Sequence, residues 1–118
     1  MVVQYRTRAT ADGIRDAMDE VLVRRWKGQR TQEPGAWAVY RTGSAAELRL
    51  LGVYSARGAR RFPLVIRVDQ SEDAGDRVVR LIIEGAEGPY LVYPKRAHKL
   101  WHGNVERIST EIGQLLAG

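Results

Sequence analysis

His98 and His102 stand four residues apart with Glu106 a further four along, a spacing that sets three metal-ligand types on one side of a helix. The set does not complete a site. The glutamate of an HExxH motif is replaced by Lys99, the chain has no cysteine, and the helical wheel carries His102 and Glu106 away from the apolar stripe. These residues read as a solvated helix flank, and neither a metal nor a cofactor is expected. Ser44, Ser55, Ser71 and Ser109 lack the context of a nucleophile elbow, and only two histidines could act as base. Glu72, Asp73 and Asp76 surround Gly75 and read as a surface turn, whereas acid catalysis needs a desolvated carboxyl. Gly85 and Gly88, in GAEGP, neither open a helix nor precede a GKS or GKT triplet, so they form no phosphate loop. No catalytic residue is assigned, and the chain reads as a binding rather than a catalytic domain.

The arginines are the more promising chemistry. Arg57, Arg60 and Arg61 cluster with Tyr54 and Phe62 nearby, the composition of a basic patch with flanking rings. Arg49, Arg67 and Arg80 fall on strand positions opposite the best core residues. A net charge of +5 fits an acidic protein partner or a weak, salt-sensitive nucleic-acid contact. Two features weigh on the other side. Phe62 belongs to a core-facing alternation and no RRM, KH or dsRBD signature accompanies the patch. The excess of 16 Arg over 3 Lys, with a single Asn, also matches the codon usage of a GC-rich genome.

The elements that must position these residues follow from periodicity. Val2 to Thr7 alternates as a half-buried strand. Thr10 offers an N-cap hydroxyl, and Ile14, Ala17, Met18, Val21, Leu22 and Trp26 mark one face of a helix over Ala11 to Trp26. Asp12 and Asp16 near its start and Arg24, Arg25 and Lys27 near its end complement the macrodipole. Gly28 to Gly35 reads as a loop, Ala36 to Arg41 as a strand, and Thr42 to Ser44 as a turn leading into a strand over Glu47 to Ser55, paired with its predecessor as a hairpin. After a turn at Arg57 to Ala59, Phe62, Leu64, Ile66 and Val68 alternate as a further strand. Ser71 to Asp76 reads as an acidic loop, Arg77 to Glu84 as a strand, and Tyr90 to Tyr93 as a short edge strand between prolines. From Lys95 onward Ala97, Trp101, Val105, Ile108, Ile112 and Leu115 predict a long amphipathic helix.

At 118 residues and 44% hydrophobic content, one core is the natural solution, and residues 1–118 read as a single domain. The order predicts an α+β two-layer sandwich, an antiparallel sheet of about five or six strands with the N-terminal and the long C-terminal helix on one face. The opening strand VVQYRTRAT, the helix over Ala11 to Trp26 and the terminal helix LWHGNVERISTEIGQLLA together resemble the helix-grip arrangement of the START and Bet v 1-like superfamily. That resemblance implies a sheet wrapped around the terminal helix, an apolar cavity between them and a small apolar ligand or lipid. Tyr5, Trp26, Tyr40 and Trp101 are the residues placed to line such a cavity, with Tyr54 a further polar tip. The outer sheet face mixes Leu51, Val53, Val65, Val78 and Ile82 with arginines. One explanation is a homodimer formed through that face; the other is that β-branched residues suit strands. The absence of a signal-like apolar stretch near Met1 and of any long apolar run predicts a cytoplasmic protein without membrane contact.

Overall fold

The computed structural model describes residues 1–52, 55–85 and 94–117. Strand β1, Val2–Thr7, turns its alternate residues Val3, Tyr5 and Thr7 inward, as the alternation predicts. Thr10 caps helix α1, Ala11–Met18, its Oγ1 accepting from the Gly13 N–H at 3.1 Å. The helix then widens into a π-helix over Asp19–Arg25, in which the Trp26 N–H reaches back five residues to the Val21 carbonyl at 2.9 Å. Strand β2 is Gln29–Thr31 and β3 is Ala38–Thr42. Two short helices follow, α2 at Ala45–Leu51 and α3 at Ala56–Arg60. Strands β4, Leu64–Asp73, and β5, Asp76–Gly85, form a long hairpin, and α4 occupies Pro94–Ala117.

All five strands make one antiparallel sheet in the order β1-β5-β4-β3-β2. The predicted two-layer α+β sandwich is therefore the architecture of the chain. The chain crosses from one edge of the sheet to the other through α1 and its π-helical extension. Ile14, Met18, Val21 and Leu22 from that crossing, Tyr40, Ile66, Val68, Val79, Leu81 and Ile83 from the sheet, and Val105, Ile108 and Ile112 from α4 pack as one core. Thr7 Oγ1 donates to the Leu116 carbonyl at 2.9 Å and fixes the end of α4 against β1.

Four expectations are corrected. The segment expected as a strand over Glu47 to Ser55 is helical from Glu47 to Leu51, and β3 pairs with β4, not with a hairpin partner from that segment. Ser44 Oγ accepts from the Glu47 N–H at 3.2 Å, so S-A-A-E is an N-terminal helix signature, contributing about 1 kcal/mol. The loop over Gly28 to Gly35 contains β2, and most of the acidic loop over Ser71 to Asp76 is strand, closed by a two-residue turn with Ala74 at φ 52° and Gly75 at φ 86°. On α4 the buried residue of the last turn is Leu116, while Leu115 is 38% exposed. Val53, Tyr54, the segment Tyr90 to Tyr93 and the side chains of Arg49 and Ala97 lie outside the described residues. Among the described residues no helix is long and apolar enough to cross a membrane.

Candidate anion-binding cleft

Three stretches distant in sequence meet beside the end of the π-helix. Arg25, Trp26 and Lys27 close that helix, Glu47 and Leu51 come from α2, and Arg57, Arg60 and Arg61 come from α3 and its C-terminus. Together they line a cleft of about 250 Å³ with five cationic side chains against one carboxylate. Local chemistry places each stretch. Ser55 Oγ caps α3 by accepting from the Gly58 N–H at 2.9 Å, and the Ser44 N–H donates to the Arg61 carbonyl at 2.8 Å, tying the start of α2 to the end of α3. Gly58 has to be glycine, because a Cβ there would stand 2.1 Å from the Gly52 carbonyl oxygen. Asn104 of α4 donates from Nδ2 to the Ala59 carbonyl at 2.8 Å and clips α3 to the long helix.

The cations differ in how far they are committed. Arg61 pairs with Glu47 and donates from Nη1 to the Trp26 carbonyl at 3.1 Å. Arg25 lies 3.6 Å from Glu20 and 3.8 Å from Glu111. The Arg60 guanidinium lies 4.3 Å from the centre of the Trp26 ring and donates to the Arg25 carbonyl at 3.1 Å, so it is held in place with no carboxylate partner among the described residues. Trp26, only 2% exposed, is itself anchored by its indole N–H donating to Glu111 at 2.6 Å. Lys27 and Arg57 make no ion pair with a described residue, and both are exposed. The Trp26 and Arg60 pair also walls a second groove of about 390 Å³ with Glu106, Arg107, Thr110, Glu111 and Gln114 of α4, where Arg60 and Arg107 balance the two carboxylates.

Lys27 has a feature of its own. Its φ of 54° puts a non-glycine residue in the left-handed region at a helix end, where glycine is the residue of lowest cost. The next residue is a glycine, and its N–H donates to the Leu22 carbonyl at 2.7 Å. A lysine held at this position, in the lining of the cleft with four arginines, is backbone strain located at a concentration of charge.

The residues singled out from sequence divide. Arg57, Arg60, Arg61 and Trp26 come together in the cleft. Arg67 and Arg80 lie on the outer sheet face, Arg67 bonded to Glu33 at 2.7 Å and Arg80 opposite Asp69 across β4 and β5. On that face Val65, Val78 and Ile82 are half-buried, and Val2, 51% exposed, sits opposite Ile82. Tyr5, Tyr40 and Trp101 do not join Trp26 around one space. Tyr5, on edge strand β1, donates to the Ser109 carbonyl at 2.7 Å, and its phenol is pushed up by burial. Tyr40, on β3, is fully buried and donates to Asp19 at 2.7 Å; burial first, then that bond and the Asp19 charge, push its phenol well up. Trp101 packs partly buried against the core, its indole N–H without a partner among the described residues. His98 and His102 stack in parallel with ring centres 6.5 Å apart, His102 lies 3.2 Å from Glu106, and among the described residues no three ligand-type side chains converge to hold a metal.

Arg25 and Lys27 belong to the cleft but read in sequence only as charges suited to a helix end. The pattern that marks Lys27 is its place immediately before Gly28, at a helix terminus that leaves the backbone in the left-handed region. Compared with known proteins, the chain matches no family model and no curated protein.

Proposed function

We propose that this protein is a binding module that engages an acidic partner through the cleft formed by the end of the π-helix, α2 and α3. The observation that carries this reading is the excess of cations there, with Arg60 held in place by Trp26 and with Lys27 and Arg57 free of ion pairs among the described residues. Fixed guanidinium forks recognise carboxylate or phosphate with little ordering cost on binding. The test is binding of a fluorescent poly-glutamate probe by fluorescence anisotropy across a salt series. Affinity should fall steeply with salt, and the double variant Lys27→Ala, Arg57→Ala should lose about fivefold at low salt, two exposed charge contacts at about 0.5 kcal/mol each. Equal affinity of wild type and double variant at low salt would refute the assignment.

Self-association through the outer sheet face is a second reading, supported by the neighbouring Val2 and Ile82 with Val65 and Val78 on the same face. Likeness to the helix-grip arrangement is a proposal about topology. What supports it is the order β1-β5-β4-β3-β2, which sets β1 and β2 at opposite edges with α4 packed on the inner face.

A further inference from the structure

Among the described residues Leu50 is the most exposed large hydrophobic side chain, at 86%, and it belongs to the helix that supplies the one carboxylate they contribute to the cleft lining. Glu47, Leu50 and Leu51 stand three and four residues apart on α2, so they share one flank of that helix, and Glu47 and Leu51 both line the cleft. Apolar surface therefore adjoins the cluster of cations. Proteins that bind single-stranded nucleic acid combine a cationic groove with open rings on which bases stack. Among the described residues the one aromatic side chain in the cleft lining, Trp26, is 2% exposed with the Arg60 guanidinium over its ring. From charge complementarity at the cleft and the leucines beside it, we infer that the acidic partner is a peptide segment in which Asp or Glu side chains flank a large apolar one. The carboxylates meet Lys27, Arg57 and Arg60, and the apolar side chain rests on Leu50 and Leu51.

This inference rests on the reading of the cleft as an anion site, and the experiment separates the two. Two short synthetic peptides of equal length and charge, one alternating Glu with Leu and the other Glu with Ser, are titrated against the full chain at low salt, with an oligothymidylate of matched charge as a third probe. The Glu/Leu peptide should bind about tenfold more tightly than the Glu/Ser peptide, the gain from removing roughly half a leucine side chain from water. Leu50→Gln, on an exposed position and with a residue that keeps helix propensity, should abolish that difference and leave the Glu/Ser affinity unchanged. Equal binding of the two peptides by wild type, or a persisting difference in the Leu50→Gln protein, would overturn the apolar anchor while the anion site stands. Tighter binding of the oligothymidylate than of either peptide would overturn the peptide assignment. Failure of all three probes to bind would overturn both readings.

Discussion

Replacing Lys27 by glycine should make the protein more stable and worse at binding anions. The left-handed conformation costs a residue with a Cβ about 1–2 kcal/mol, which glycine does not incur. Glycine brings the opposite effect of a more disordered unfolded chain, about 0.5–1 kcal/mol. With Lys27 at φ 54° and exposed, no packing is lost, so the net gain is about 0.5–1 kcal/mol. For a chain of 118 residues that is a rise in Tm of about 2–4 °C, readable by thermal denaturation followed by circular dichroism. Removing one exposed cation from the cleft should cost about 0.5 kcal/mol of binding, a two- to threefold loss for a poly-glutamate probe at low salt. Lys27→Ala separates the two effects, because it removes the charge and keeps the Cβ: it should lose the same affinity and gain no stability. A Lys27→Gly protein that melts at or below the wild-type temperature would refute the claim that backbone strain is held at this site for the sake of its charge.

Two further outcomes are expected from the structure. The phenols of Tyr40 and Tyr5 are held above their ordinary value in the fold, so the folded chain keeps protons that the unfolded chain releases above about pH 10. Stability should be fully present below that pH and fall as pH rises beyond it; urea midpoints at about pH 9 and 11 should show the fall, and Tyr40→Phe should reduce it while costing about 1 kcal/mol at neutral pH. Gly58→Ala drives a Cβ against the Gly52 carbonyl, so it should destabilise the protein by about 2 kcal/mol in urea titration and weaken probe binding by displacing Arg57 and Arg60; an unchanged urea midpoint would show that α2 and α3 part freely.

The segment after Ser44 shows why part of the fold was not legible. In ELRLL, Leu48 and Leu50 fall two apart and imitate the period of a strand. In the structure only Leu48 is buried, at 2% exposure, while Leu50 is almost fully solvated. Ser44, three residues before Glu47, carries the deciding information, because its hydroxyl satisfies a helix-end N–H regardless of hydrophobic period. Strand β2 escaped notice for a different reason. Its polar Q-R-T has no strand pattern and exists because Arg30 pairs with Tyr40 across to β3, where it also reaches Asp19 at 3.7 Å.

The residue pattern alone specifies the class of the fold and the long elements. Strands β1, β4 and β5 and helices α1 and α4 each carry enough alternating or helical positions to bury one face, and burial of that face is what selects their conformation. It also displayed Arg57, Arg60 and Arg61 as a cluster. Only the tertiary structure decided that Trp26 orients Arg60, that Lys27 and Arg25 join them, and that Leu50 stands exposed beside them. Those relations depend on how a π-helix end and two short capped helices pack together, and contacts between stretches some thirty residues apart leave no periodic trace in a single chain.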